Sequence, residues 1–158
     1  DFPPSLREPK GSFVTLTQQG ALRGCIGNLR ATEPLYASII SNARSAATRD
    51  YRFPPVRKEE LDSIEFEISI LSDPKPLDFT SPEDLLAKLQ PHRDGVVLEI
   101  GSATSTFLPQ VWRQLPDKVQ FLSALAKKAD RGPDDWRKPG TRVLVYRVEA
   151  FKESELKQ

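Results

Sequence analysis

Residues 64–71 read IEFEISIL and decide the fold class of this chain. Every second residue from Ile64 to Ile70 is apolar, and the residues between them are two glutamates and a serine. Because successive side chains of a strand point to opposite faces, this alternation predicts a strand with one buried face and one hydrated face. Such a strand is typical of an antiparallel sheet, since parallel sheets are usually covered on both faces.

The segments around this strand predict hairpins and amphipathic helices. Ser12–Leu16 and Ala21–Leu29 are apolar stretches separated by Gln19-Gly20, which predicts a β-hairpin. Apolar residues at helical spacing predict a helix over Glu33–Thr48. The other predicted elements are a short helix opened by Ser81-Pro82, strands over Val96–Ile100, Thr104–Leu108 and Thr141–Ala150, and a helix that ends near Ala129. We therefore predict an α+β fold with a mainly antiparallel sheet and flanking helices.

The size and composition are those of one soluble globular domain. The chain has 158 residues, of which 38% are apolar and 28% are charged. This length supports one core and is short for two ordinary domains, so we predict a single domain over residues 1–158. No apolar run reaches the roughly 18 residues that a membrane-spanning helix requires, so no membrane association is predicted.

Charge and cysteine content exclude several kinds of partner and site. Twenty-three basic residues nearly balance 22 acidic ones, so the net charge is +1 and gives little general attraction for nucleic acid or anionic lipid. A single cysteine excludes an internal disulfide, and a single histidine beside it excludes the usual Cys/His zinc site. We predict no metal and no cofactor. The start of the chain has no apolar secretory segment, which predicts a cytoplasmic protein.

Leu22–Gly27, with the sequence LRGCIG, is the most unusual local stretch. On a regular strand Arg23 and Cys25 share one face, where a guanidinium would favour the thiolate over the thiol. Gly24 and Gly27 would leave space for a ligand beside the sulfur, and their backbone N–H groups would hold a developing oxyanion. We therefore predict Cys25 as nucleophile or covalent ligand. A β-bulge would shift this facing by one residue, and a small buried cysteine beside a bend is the structural alternative.

Three further residues are candidates for the same site. Asp50 and Arg52 lie in a loop stiffened by Pro54-Pro55, where Arg52 would bind a carboxylate or phosphate and Asp50 would position it. A purely structural clamp between the two is the alternative. His92 lies in a polar turn and would act as a base for Cys25 if the two meet, whereas a solvated turn histidine is the alternative.

LRGCIG resembles the six-residue signature of the AMMECR1 family. The segments that also resemble this family, in order, are Gly11–Leu16, Asp50–Pro55, Phe66–Leu71, Asp94–Leu98, Phe107–Val111 and Lys127–Ala129 followed by Trp136. Tyr51 stands where the family commonly has proline, and the family's helical segment before the first strand is absent from this sequence. The resemblance implies an α+β protein of two unequal lobes, with the signature near a cleft.

The resemblance also implies partners without implying a reaction. Bacterial and archaeal members tend to be encoded with a Memo-like protein, related to ring-opening dioxygenases, and with a radical S-adenosylmethionine protein. We therefore predict a Cys25-centred site for an unidentified small molecule, and covalent catalysis if the protein is an enzyme. The alternative is a non-catalytic interaction module whose LRGCIG surface docks a partner protein. Nucleic-acid binding rests only on arginines around the long helix and is not favoured.

Overall fold

The computed structural model describes residues 1–157 and places the chain in two compact units. The first unit contains Asp1–Asp73 and the segment that begins at Glu149, and the second contains Pro74–Val148. Each unit contains a four-stranded sheet with antiparallel pairing. The predicted α+β class with flanking helices is confirmed, and the strands form two sheets where the sequence predicted a mainly antiparallel one.

The first unit contains one sheet, one long helix and several short helical segments. Its elements, labelled in chain order, are α1 (Pro4–Arg7), β1 (Gly11–Gln18), β2 (Ala21–Asn28), α2 (Leu35–Thr48), a 3₁₀-helix (Lys58–Ser63), β3 (Ile64–Leu71), β8 (Val148–Lys152) and a second 3₁₀-helix (Glu153–Lys157). The strand order is β2-β1-β3-β8, so β2 lies at an edge of the sheet. The predicted hairpin and the predicted strand over residues 64–71 are confirmed.

The second unit has its own sheet and four helical segments. Its elements are β4 (Lys75–Pro76), α3 (Pro82–Lys88), β5 (Gly95–Ile100), β6 (Ala103–Phe107), a 3₁₀-helix (Pro109–Arg113), α4 (Lys118–Lys128), a 3₁₀-helix (Asp135–Arg137) and β7 (Arg142–Tyr146). The strand order is β4-β7-β5-β6. The predicted final strand over Thr141–Ala150 is therefore two strands, β7 and β8, which belong to different sheets.

Helix α2 covers one face of the first sheet. Val14, Leu16 and Ile64 are buried with Ala46 of α2, and partly buried apolar side chains complete this core. Because strand side chains alternate, the residues next to them in sequence, such as Thr15, lie on the opposite face. The face away from α2 is therefore the one that is open to polar side chains.

The core of the second unit is aromatic and aliphatic. Trp112 is fully buried and stacks on Phe121 of α4, with the ring centroids 3.7 Å apart. Burial raises the pKa of Tyr146 to about 12, although a hydrogen bond with Thr106 lowers it in part. Across residues 1–157 we find no helix with the length and apolar character that a membrane span requires.

Candidate functional site around Cys25

A β-bulge at Arg23 sets the geometry of the LRGCIG segment. Leu16 pairs with Gly24, whereas the next residue of β1, Thr17, pairs with Leu22, so the register shifts at this point. Arg23 is the extra residue of the bulge and has no partner on β1. The regular alternation that would place Arg23 and Cys25 side by side is therefore interrupted between them.

Arg23 is held by Glu60, a partner that the sequence analysis did not predict. Its Nε and Nη2 atoms each donate a hydrogen bond of 3.2 Å to the Glu60 carboxylate, and only 9% of its side chain is exposed. The hydrogen bond from Arg23, followed by one from the backbone N–H of Arg57, lowers the pKa of Glu60. Arg23 therefore ties the bulge to the 3₁₀-helix over Lys58–Ser63, and its action on the thiol stays a prediction.

The spaces at Gly24 and Gly27 are filled by the protein's own atoms, which corrects the prediction of room for a ligand. A Cβ atom at Gly24 would lie 2.2 Å from the backbone oxygen of Ala46. A Cβ atom at Gly27 would lie 2.2 Å from the ring of Phe13. Gly24 is therefore required for the close approach of α2 to the sheet, and Gly27 for the seating of an aromatic ring.

Cys25 is partly exposed and has polar neighbours. It pairs with Thr15 across the hairpin, and its Sγ atom lies 3.3 Å from the Thr15 hydroxyl. Thr15 in turn pairs with Glu67 on β3, so the three residues form one row across the sheet. This row lies on the face away from α2.

Asp50 binds the backbone of Cys25 from the open edge of β2. An edge strand has backbone N–H groups with no strand partner on its outer side. The Cys25 N–H donates a 3.0 Å hydrogen bond to Asp50 Oδ2, so a carboxylate takes the place of a neighbouring strand at this position. The prediction that backbone N–H groups here hold an oxyanion does not extend to the Cys25 N–H, because that donor is already occupied.

Asp50 also holds Arg52 through both of its oxygens. The Arg52 Nε and Nη2 atoms donate to Oδ1 and Oδ2 over 2.9 and 2.7 Å, and the Arg52 backbone N–H donates to Oδ1 over 3.1 Å. These hydrogen bonds from Arg52 are the largest cause that holds the pKa of Asp50 well below its usual range, and the Cys25 N–H adds to them against the opposing effect of burial. Asp50 is therefore a carboxylate whenever the protein is near neutral pH.

Arg52 is the cation that the structure brings toward Cys25. The Asp50 hydrogen bond raises the pKa of Arg52, and electrostatic interactions with Asp50 and Cys25 contribute in the same direction. The Arg52 side chain is 47% exposed, and its guanidinium lies 5.5 Å from the centre of the Phe53 ring. Its Nη1 atom makes no hydrogen bond with the described residues and is available to a ligand. Asp50 clamps Arg52, which is the structural interpretation of this loop. The clamp leaves Nη1 without a partner among the described residues, so the interpretation of Arg52 as an anion-binding residue also stands.

His92 lies in the second unit, in the turn before Asp94. It is exposed, and its backbone has a φ of +67°. Its role as a base for Cys25 stays a prediction. No group of three or more histidine, cysteine, aspartate or glutamate side chains in residues 1–157 has an arrangement that could hold a metal ion.

Thr15 and Glu60 are the two site residues that the sequence analysis missed. A two-residue turn at Gln19-Gly20 continued without a bulge would pair Thr15 with Gly24, so the hairpin pattern alone predicts the wrong neighbour for Cys25. Glu60 is 37 residues from Arg23 in the chain, and no local pattern connects the two.

This geometry defines a class of α+β protein with two antiparallel sheets. Its first hairpin carries LRGCIG, and the cysteine lies on the sheet face away from α2. The chain belongs to the AMMECR1 family, whose model matches residues 1–151. The family predicted from the signature and its accompanying segments is thereby confirmed.

Similar proteins occur in several archaea. A protein of Thermofilum pendens is 40% identical over 169 residues, which cover 98% of this chain and 78% of that protein. A protein of Methanothermobacter thermautotrophicus is 42% identical over 154 residues, which cover 97% of this chain and 80% of that protein. The crystal structure of the uncharacterized protein PH0010 from Pyrococcus horikoshii matches with a TM-score of 0.90 and 38% identity over 97% of this chain and 78% of that one.

Proposed function

We propose that this protein binds a small anionic electrophile at Cys25, with the sulfur as covalent ligand or nucleophile and Arg52 as the group that attracts the anion. One observation carries this proposal. The buried carboxylate of Asp50 holds both the backbone of Cys25 and the half-exposed guanidinium of Arg52. A thiol and a cation that share one rigid anchor have a defined separation, which is what recognition of a charged, reactive molecule requires.

The surroundings of the sulfur are consistent with this role. Cys25 is partly exposed, and the Thr15 hydroxyl is within hydrogen-bond distance of its sulfur. The thiolate is the reactive form of cysteine, so the chemistry at this site begins from the deprotonated sulfur. The Arg52 Nη1 atom adds a free donor for a carboxylate or phosphate oxygen.

Addition to a carbonyl carbon illustrates the chemistry that the site would carry out. The thiolate lone pair forms a sulfur–carbon bond, the carbon–oxygen π bond breaks, and its electron pair passes to the oxygen. Collapse of this adduct returns the pair to the carbonyl and restores the thiolate. Such an adduct is also the first step of covalent catalysis, so turnover by this protein would use the same two residues.

Alkylation of the single cysteine tests the proposal directly. Iodoacetate is anionic and iodoacetamide is neutral, so the ratio of their rates reports the attraction of Arg52 while the thiolate fraction cancels. We expect Arg52→Gln to lower this ratio about 3–10-fold, because a cation that interacts electrostatically with Cys25 is lost. Mass spectrometry of the modified protein gives both rates, and Cys25 is the only thiol in the chain.

Arg49→Gln is the matched control, since Arg49 is an exposed arginine at the end of α2. Its ratio should equal that of the native protein. A ratio that Arg52→Gln leaves unchanged would contradict the assignment of Arg52. A native thiol that reacts with neither reagent before the protein unfolds would refute the Cys25 site as a whole.

A specific observation supports docking as a second candidate function. Tyr51 is 95% exposed beside Arg52, although Asp50 anchors the loop and the Phe53 N–H donates to the Asp50 backbone oxygen over 3.0 Å. Tyrosine and arginine dominate many protein–protein contacts, and a rigid loop loses little entropy on binding. The partners we propose are the Memo-like and radical S-adenosylmethionine proteins, with the cytoplasm as the shared compartment.

Binding measurements with these two purified proteins separate docking from chemistry. If the loop is a docking surface, Tyr51→Ala should weaken partner binding at least about 10-fold, as expected for an interfacial tyrosine. Cys25→Ser should leave that affinity unchanged. Equal affinities of the native protein and Tyr51→Ala, measured by calorimetry, would exclude the loop as a docking surface.

A further inference from the structure

An open cavity of about 460 Å³ lies within the second unit, between the chain segments 76–82 and 136–143. Its volume falls in the range of ~300–1,000 Å³ that small-molecule sites occupy. None of its lining residues belongs to the Cys25 site. We propose that this cavity binds a small organic anion with an aromatic or otherwise apolar body.

The floor of the cavity supplies the apolar contact surface. Trp136 and Val143 are buried and belong to the core of the second unit. Leu77 and Phe79 are partly buried and pack against the same core. Leu77 and Phe79 keep part of their apolar surface accessible while the core fixes them, so an apolar ligand body can release water from these two side chains.

The rim of the cavity supplies the charge. It carries three cations, Arg137, Lys138 and Arg142, and one carboxylate, Asp78. Lys138 Nζ lies 2.9 Å from Asp135, whereas Arg137 Nε lies 3.9 Å from Asp134. Arg142 is exposed, and its guanidinium makes no hydrogen bond or ion pair with residues 1–157. Glu99 is the cross-strand neighbour of Arg142 but forms no ion pair with it, so the guanidinium can bind a ligand with a carboxylate or a similar anion at one end.

Hydrogen bonds hold both walls of the cavity in place. Lys88 Nζ donates to the backbone oxygen of Asp78 over 2.6 Å, and the Thr80 N–H donates to Asp84 over 2.9 Å. On the other wall, the Thr141 N–H donates to the Lys138 backbone oxygen over 3.3 Å. A preformed cavity of this kind binds without the entropy cost of ordering loops.

The probe for this site is 2-naphthoate, an aromatic carboxylate, with the neutral 2-naphthamide as its isostere. Titration of the isotope-labelled protein, followed by amide chemical shifts, should give saturable changes over residues 77–82 and 136–143, with a Kd below about 1 mM. We expect 2-naphthamide to bind at least about 3-fold more weakly, because it cannot pair with Arg142.

Opposite charge changes at the rim should move the affinity in opposite directions. Arg142→Gln should raise the Kd for 2-naphthoate about 3–5-fold, and Asp78→Asn should lower it about 2-fold, because these are exposed charges. Arg93→Gln is the control, since Arg93 is exposed and does not line the cavity. The proposal is overturned by the absence of saturable shifts up to about 5 mM, by equal binding of 2-naphthamide, or by an unchanged Kd in Arg142→Gln.

Discussion

Gly24→Ala should destabilise this protein by about 3 kcal/mol, the upper end of the range for an overpacked site. The added Cβ would lie 2.2 Å from the Ala46 backbone oxygen, and a backbone carbonyl cannot turn away as a side chain can. Either α2 must move off the sheet or the bulge must distort, and both changes expose core side chains such as Val14 and Leu16. Urea unfolding followed by circular dichroism measures the loss.

Ala21→Val is the matched control for this prediction. It adds methyl groups to the same strand at an exposed position, where a β-branched side chain is favourable. We expect its free energy of unfolding to stay within about 0.5 kcal/mol of the native value. A loss below about 0.5 kcal/mol in Gly24→Ala would mean that α2 does not approach the sheet as closely as the structure shows.

The second large effect is expected for Asp50→Ala, with a loss of about 2–3 kcal/mol at pH 7. The Asp50 side chain is only 3% exposed, and its removal leaves the backbone N–H groups of Cys25 and Arg52 without their acceptor. Because the Arg52 guanidinium is half exposed, water replaces part of the lost ion pair, and the cost arises mainly from these two N–H groups. Asp62→Ala, which removes an exposed carboxylate of the neighbouring 3₁₀-helix, is the control.

The pH dependence of this loss has a definite sign. The pKa of Asp50 is lower in the folded protein than in the unfolded chain, where a free aspartate has a pKa near ~3.9. Its contribution to stability is therefore complete above about pH 4 and decreases as the pH falls toward the folded pKa. We expect the native protein and Asp50→Ala to differ most at pH 5–7 and to converge below about pH 4. A difference that grows as the pH falls would contradict the assignment.

Local patterns were enough for most of the secondary structure. The hairpin, the long helix and the strand over residues 64–71 are each defined by the spacing of apolar side chains within the segment itself. This spacing does not depend on which segment packs against it. The pattern did not show that Thr141–Ala150 divides at Arg147 into two strands, because the same apolar spacing suits one long strand or two short ones. Arg147 pairs with Asp94 over 3.1 Å, and this long-range contact leaves no local sign.

The candidate site was predicted in part. Cys25, Asp50 and Arg52 were identified from residue type and from a stiff loop, and the structure joins them through hydrogen bonds. Arg23 was placed beside the thiol because strand alternation was extended through the bulge. An extra residue in one strand changes which side chains share a face, and the alternation of the sequence does not record it.

The amino-acid sequence alone determined the α+β class, the hairpin that carries LRGCIG and the family, because each depends on contiguous residues. Only the tertiary structure decided which cation accompanies Cys25. Glu60 binds two nitrogens of the Arg23 guanidinium, and Asp50 holds Arg52 while it binds the backbone of Cys25 at the edge of β2. These contacts join residues that are 25 and 37 positions apart in the chain. They form only when the chain is folded, so no local sequence pattern specifies them.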